Sequence, residues 1–277
     1  MPNSQSGVVV RRGMTVPLQA LSDAGPYDEA PGGSKLFRVF YQKTLPAGPR
    51  LAADLLASCD TDFATLKGWF GVTPGGLPFK VYLESGDFGA YHKDCATTEI
   101  HCSTFDGSDR DAVRMLVTAE AVEVFAAALG KGWDCGTSDG EGLSRVLATA
   151  IYKLEIRGRA TAPAWLQQVN RPDYVSKSDP SDGNPIALGC ATLFLNFLHF
   201  QLGHRWQEII QQGDRDASGK LSLATTYQRL TGKDAAFGPF NAALAQAYPP
   251  GRPVFVSSDN VFPLPQGAVQ AFLAAAA

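Results

Sequence analysis

Three glutamates are spaced in the sequence so that their carboxylates could take part in one reaction. Glu120 and Glu123 are the two carboxylates in the otherwise apolar or small stretch Met115–Leu129, and Glu141 follows in a glycine-rich segment. Side chains three apart on a helix share one face. A carboxylate on an apolar helix loses its hydration and needs a cation, a metal or hydrogen-bond donors. If the helices carrying them pack as neighbours, the three carboxylates converge in a cleft suited to acid–base chemistry or cation binding.

A histidine on a predicted strand is the fourth candidate. The segment Thr97–Phe105 has strand character, and the two-residue period of a strand places Glu99 and His101 on one face, with Ile100 and Cys102 on the other. The sequence leaves open which face is turned inward. His101 joins the carboxylates as a catalytic residue or ligand if its face is the inner one, and is otherwise an ordinary strand residue.

Two predicted helices must position the glutamates. Asp109 is a favourable N-cap for a helix from Arg110 to about Leu129, and Gly130 is a typical residue to end it. This helix is apolar all round, which predicts that it is buried. A tight turn then opens a second helix, predicted from Glu141 to about Ile156.

The order of elements predicts an α+β fold. Strand patterns dominate the first 105 or so residues, and helical patterns dominate the remainder. We expect an N-terminal tail and loop over residues 1–35, an α/β part carrying the candidate site over 36–160, and a helical subdomain over 161–277.

Composition narrows the function classes. The 277 residues are 45% hydrophobic and carry a net charge of −3, which favours neither nucleic acid nor an anionic membrane as a partner. No transmembrane stretch or signal peptide is evident, so a soluble, cytoplasmic protein is predicted. Five scattered cysteines without a CxxC motif are expected to be reduced and buried, and they do not indicate a thiolate zinc site.

The glutamate-bearing helices resemble those of the gluzincins, the thermolysin-like zinc peptidases. That family carries His-Glu-x-x-His on its long helix and a third ligand, a Glu, on the next helix. The matching stretch here is Ala119-Glu120-Ala121-Val122-Glu123, with Glu141 in a Gly-Glu-Gly setting at the position of the third ligand. The resemblance implies a zincin-like fold and Glu120 as general base. It also implies that strand 97–105 is the edge strand that lies over the cleft and holds the substrate.

The departures from that motif change the expected chemistry. Ala119 and Glu123 stand where the family has its two histidines, so the standard His-His-Glu zinc site is not expected. The remaining carboxylates suit harder divalent cations, with Glu123, Glu141 and His101 as the candidate metal ligands. The resulting prediction is a divergent metallopeptidase-like protein, and, if it is an enzyme, a hydrolase.

Two other functions remain open at this stage. One is a non-catalytic pseudo-peptidase that binds a peptide or small molecule along strand 97–105. The other is a metal-independent enzyme that uses paired glutamates as acid and base. The structural alternative pairs Glu120 and Glu123 with Arg114 or Arg145. Oligomeric state is not predicted.

Overall fold

The computed structural model describes residues 27–153, 160–181, 183–215 and 221–276. The chain divides into two compact units. The first comprises Met1–Leu129 with Leu147–Leu154, and the second comprises Gly130–Val146 with Glu155–Ala277. Over the described residues, no helix has both the length and the apolar character needed to cross a lipid bilayer.

The first unit is built on a small mixed sheet. Its five strands lie in the order β1-β2-β3-β5-β4. The three central strands are parallel to one another, while the strand at each edge runs antiparallel to its neighbour. Together with the helices of both units, this sheet makes the protein α+β, as predicted. The strands are β1 (Tyr27–Glu29), β2 (Phe37–Gln42), β3 (Phe79–Ser85), β4 (Gly89–His92) and β5 (Glu99–Thr104).

The edge of the sheet corrects one expectation. The strand predicted at 97–105 exists as β5, but it is paired with β3 on one side and β4 on the other. It is therefore not the edge strand, and the role implied for it by the resemblance is wrong. The edge is β4, which lies in the glycine-containing segment 84–94, where the sequence pattern favours a loop. Four residues that begin with glycine are too few to show a strand period.

Three helices lie wholly within the described part of the first unit. They are α1 (Gly48–Leu56), α2 (Cys59–Phe70) and α3 (Arg110–Leu129). The bounds of α3 agree with the prediction, and the Asp109 carboxylate accepts hydrogen bonds from the amides of Asp111 and Ala112. The apolar pattern from Pro49 to about Trp69 predicts one helix, which is wrong, because the structure has two helices here, α1 and α2.

Aromatic packing joins these helices to the sheet. The ring of Phe63 on α2 makes edge contacts with Phe37, Phe79 and Phe125, at centroid distances of 6.4, 6.4 and 5.1 Å. All four rings are buried. Edge-to-face pairs of this kind add to the free energy already gained from burying the rings. They hold α3 over one face of the sheet, which we call the inner face.

The second predicted helix is α4 (Ser138–Tyr152), which begins three residues before Glu141. Its last residues, from Leu147 onward, belong to the first unit. There Ala148 packs against Ala119 of α3, with Met115 beside them. Tyr152 donates a hydrogen bond to the partly buried carboxylate of Asp62 on α2.

The second unit is helical over its described residues, as the pattern predicts. The apolar pattern of Ile186–Leu202 predicts a helix, and the structure has α6 there, which continues into one π-helical turn at Phe197–Gln201. The complete helices of this unit are α5 (Ala162–Leu166), α6 (Pro185–Asn196), α7 (Trp206–Gln211), α8 (Leu223–Thr231), α9 (Phe237–Ala247) and α10 (Gln266–Ala276).

A buried carboxylate organises the second unit. Asp259 accepts hydrogen bonds from the amides of Thr161 and Ala162, at 2.6 and 2.8 Å, and it forms an ion pair with Arg145. Its own carbonyl accepts a hydrogen bond from Asn196 at 3.1 Å. One residue thus ties the segment before α10 to α4, α5 and α6.

The cysteines follow the prediction only in part. Cys59, Cys102 and Cys190 are free and buried. Cys95 and Cys135 are each disulfide-bonded, so the expectation of reduced thiols is wrong for these two. Their positions in the sequence follow no spacing pattern that would have indicated a bond.

Candidate functional site

A buried histidine lies beside two of the predicted glutamates. The Nε2 atom of His92 is 2.8 Å from Glu123 Oε2 and 3.4 Å from Glu120 Oε2. The side chains of His92 and Glu120 are fully buried, and that of Glu123 is 2% exposed. We call these three residues the inner cluster. The structure therefore brings Glu120 and Glu123 together with a histidine, but this histidine is not the predicted one.

Strand alternation explains how His92 reaches the helix. In the antiparallel pairing of β4 with β5, His92 lies opposite Ile100, and directly opposed residues project to the same face. Ile100 is completely buried, and His92 contacts Glu123 of α3, so this is the inner face of the sheet. The three-residue spacing on α3 then places Glu120 and Glu123 on the side of the helix that faces β4.

The contact made by Nδ1 of His92 determines the protonation state of Nε2 in the neutral imidazole. His92 Nδ1 contacts the backbone carbonyl of Asp94, and a carbonyl can only accept. Nδ1 therefore carries a hydrogen, and Nε2 is directed at the carboxylate oxygens of the inner cluster. A proton or a cation must lie between Nε2 and Glu123, because a lone pair and a carboxylate oxygen do not attract each other.

The donor set fits a divalent cation. Imidazole nitrogen with carboxylate oxygens suits Mn²⁺, Fe²⁺ and Zn²⁺. A ligating histidine usually donates its other N–H to a carbonyl or carboxylate, as His92 does to Asp94. Ala119, in contrast, offers no ligand and packs against Ala148. The residues therefore fit a metal held by His92 and Glu123, not the His-His-Glu set of the gluzincins.

His101 lies on the opposite face of the sheet. Its neighbour Ile100 faces α3, so the alternation of β5 turns His101 to the other side, which we call the outer face. The His101 ring stacks between Tyr82 and Tyr91, with centroid distances of 5.1 and 5.0 Å. The structure therefore does not bring His101 together with Glu120 and Glu123.

Two carboxylates hold the imidazole of His101. Nδ1 is 2.8 Å from Oε1 of Glu84, which is fully buried, and Nε2 is 3.3 Å from Oε1 of Glu99. Tyr27 donates a further hydrogen bond of 2.6 Å to Glu84. Burial lowers the pKa of His101, but the hydrogen bonds and charges of Glu84 and Glu99 outweigh it, so the pKa is raised overall. Burial and the bond to Glu84 raise the pKa of Tyr27.

Glu141 belongs to the second unit. Its Oε1 accepts a hydrogen bond of 2.9 Å from the amide of Gly136, in the turn before α4, and the residue is buried. Beside it in the first turn of α4, burial raises the pKa of Asp139 to about 8, although hydrogen bonds from Ser138 and Ser178 lower it. A role for Glu141 beside Glu120 and Glu123 remains a prediction.

The two candidate arginines have other contacts. Arg114 donates to the carboxylate of Asp111 and to the backbone carbonyl of Asp54. Arg145 forms its ion pair with Asp259 in the second unit.

Two residues of these sites were missed in the sequence. His92 lies in a segment that looks like a loop, and Gly89-Ala-Tyr-His is too short to show the period of a strand. Glu84 directly follows the stretch Phe79–Leu83, whose pattern predicts a strand. It is the last residue but one of β3, where its side chain falls on the same face as Tyr82. Nothing in the sequence shows that this carboxylate is completely buried.

Comparison with known proteins gives only distant structural similarity. No family model and no curated protein matches the chain. Among solved structures, it is similar to the crystal structure of a mutant M1 zinc metallopeptidase from Deinococcus radiodurans, at 14% sequence identity and a TM-score of 0.40. The match covers 84% of this chain and 55% of that protein, so the chain spans about half the length of this neighbour.

Proposed function

We propose that the protein is a divergent, metallopeptidase-like hydrolase whose reacting groups are the inner cluster. One observation carries this proposal. His92, supplied by β4, places its Nε2 atom within 2.8 Å of Glu123 and 3.4 Å of Glu120 on α3. A histidine from the sheet thus compensates for the two histidines that the helix lacks.

Each residue of the cluster has a distinct role in this proposal. His92 Nε2 and the Glu123 carboxylate hold a divalent cation, and the hydrogen bond from His92 Nδ1 to Asp94 keeps the imidazole in the ligating tautomer. When bound, such a cation polarises a carbonyl and makes a water molecule more acidic. Glu120 takes the proton from the attacking water and passes it to the leaving amine.

The edge strand supports a peptide as the substrate class. Among the described residues of the first unit, β4 pairs with β5 alone, and an extended chain could be added at its other edge by backbone hydrogen bonds. His92 is the last residue of this strand, and its side chain reaches the carboxylates of the cluster. A peptide added to β4 would therefore run beside the reacting groups.

The direct test is hydrolysis of a mixed fluorogenic peptide library by the wild-type protein and by Glu120→Gln. We expect turnover in the wild type, at least 100-fold slower turnover in Glu120→Gln, and unchanged metal content in that variant. Glu29→Gln, an exposed change on β1, is the matched control and should retain full activity. Equal turnover in wild type and Glu120→Gln would contradict the role of Glu120.

A non-catalytic peptide-binding protein is the second candidate. It is favoured by the burial of the inner cluster, whose side chains are at most 2% exposed. In that case Glu120→Gln would bind peptides as the wild type does, with turnover in neither.

A metal-independent acid–base enzyme is favoured by the direct 2.8 Å contact of His92 with Glu123. Turnover that survives a chelator but not Glu120→Gln would identify it.

A further inference from the structure

The outer face of the sheet carries a second group of residues that could bind a ligand, separate from the inner cluster. Its centre is the imidazole of His101, with Tyr82 on one side of the ring and Tyr91 on the other. The two ring contacts are nearly parallel, with interplanar angles of 15° and 13°. The ring of His101 is thereby held in one plane and cannot turn freely.

The buried carboxylate of Glu84 holds Nδ1 of His101, so that Nε2 is the nitrogen directed towards Glu99. Glu84 Oε1 accepts from His101 Nδ1 at 2.8 Å and from the Tyr27 hydroxyl at 2.6 Å. A carboxylate on one ring nitrogen is the usual support of a metal-binding histidine, because it orients the ring and makes the other nitrogen more basic. Nε2 is the atom left to bind, and the His101 side chain is 11% exposed.

A second ligand atom lies at the right distance. Glu99 Oε1 is 3.3 Å from His101 Nε2, and the Glu99 side chain is 34% exposed. Two ligands of a tetrahedral ion, with bonds of about 2.0–2.1 Å, lie about 3.3 Å apart. The two atoms are therefore spaced as a pair that shares one ion, and water molecules would complete the coordination.

We propose that His101 Nε2 and Glu99 form a surface binding site for a divalent transition-metal ion of the Zn²⁺, Ni²⁺ or Cu²⁺ class. Imidazole nitrogen selects these ions over Mg²⁺ and Ca²⁺, which prefer oxygen ligands alone. With two protein ligands the site binds reversibly. Glu84 is a positioning residue, since it touches the histidine and not the ion.

One cation competes for this site. Lys93 Nζ is 3.8 Å from Glu99 Oε1, and its side chain is 65% exposed. An exposed pair at this distance contributes little free energy, so a metal ion displaces the lysine easily. Lys93→Gln is therefore expected to tighten metal binding about two- to five-fold, because it removes a like charge near the ion.

The test is a titration with Zn²⁺ in the His92→Gln background, which removes the imidazole of the inner cluster. Binding is measured by calorimetry, and the ring of His101 is followed by ¹⁵N NMR. We expect one ion to bind and to shift the His101 Nε2 resonance. Glu99→Gln should weaken binding at least ten-fold, and Glu84→Gln about 10- to 100-fold through the lost support of the ring.

Because Glu99 is a half-exposed residue, Glu99→Gln should leave folding intact, and circular dichroism verifies this. Unchanged affinity in folded Glu99→Gln, or a His101 resonance that does not move at saturating Zn²⁺, would overturn the site. The result is separate from the proposed hydrolase. Loss of the inner cluster leaves the outer site in place, and loss of Glu99 leaves the inner cluster untouched.

Discussion

At the scale of single residues, the inner cluster depends on a histidine that one hydrogen bond orients. His92 could face Glu123 with either nitrogen, and the Asp94 carbonyl decides that Nε2 does so. The sequence predicted the two glutamates because carboxylates are conspicuous on an apolar helix. It did not predict His92, because a histidine at the end of the short segment Gly89-Ala-Tyr-His has no distinguishing pattern.

Asp139 makes the stability of the protein depend on pH. Its pKa is about 8 in the folded chain because of burial, against about 3.9 when unfolded. Between these values the folded chain holds a proton that the unfolded chain has released. The contribution of Asp139 to the free energy of unfolding is therefore fully present below about pH 4 and is lost as pH rises to about 8. Asp139→Asn should remove this loss.

The check is urea unfolding of the wild type and Asp139→Asn between about pH 5 and about pH 8. We expect the free energy of unfolding of Asp139→Asn to rise steadily relative to that of the wild type as pH increases. Asp87→Asn changes an exposed carboxylate, and its free energy of unfolding should follow the wild-type pH profile. Parallel profiles for wild type and Asp139→Asn would show that Asp139 is not a buried neutral acid.

At the scale of elements, α3 and β4 show what can be predicted and what cannot. The helix α3 runs for 20 residues, and its bounds were predicted because a cap, a long apolar pattern and a terminal glycine agree. Strand β4 has four residues, and pairing with β5 makes it a strand. Tertiary contacts of this kind leave no periodic signal in so short a segment.

Helix packing also explains why a substitution of Ala119 by histidine is expected to destabilise the protein. Ala119 is 2% exposed and packs against Ala148, which is 1% exposed. A histidine at this position must push α3 away from the end of α4 or take a strained rotamer. Ala119→His is therefore expected to lower the free energy of unfolding by about 1–3 kcal/mol.

Chemical denaturation of Ala119→His and of the small control Ala119→Ser measures this effect. The serine variant should lose less than half as much as the histidine variant. Wild-type stability in Ala119→His would mean that a histidine side chain fits at position 119. Packing against Ala148 would then not explain why the chain has alanine there.

At the scale of the whole molecule, each unit is organised around buried polar groups that the sequence did not reveal as partners. In the second unit, Asp259 lies 98 residues from Thr161 and 114 from Arg145. The fold class could be predicted from the order of strand and helix patterns. Pairings over such separations could not, because hydrophobic periodicity carries no information about which polar residues meet.

Removal of the Asp259 carboxylate should destabilise the second unit strongly. Asp259→Ala takes away the acceptor for two buried amides and the ion-pair partner of Arg145, so we expect a loss of about 3–5 kcal/mol. Asp259→Asn keeps one oxygen acceptor and should lose less. Thermal and urea unfolding measure both, and a loss below about 1 kcal/mol in Asp259→Ala would contradict this role.

If the inner cluster holds a divalent cation, as we propose, the purified protein should contain that ion, so its metal content is the first measurement to make. The measurement is elemental mass spectrometry of protein purified without chelator or tag-derived metal. It is made in the Glu99→Gln background, so that the outer site does not contribute. We expect about one ion per chain, lost in both His92→Gln and Glu123→Gln, because the ion needs both ligands. Equal metal content with and without His92, or none in any of these proteins, would contradict the account.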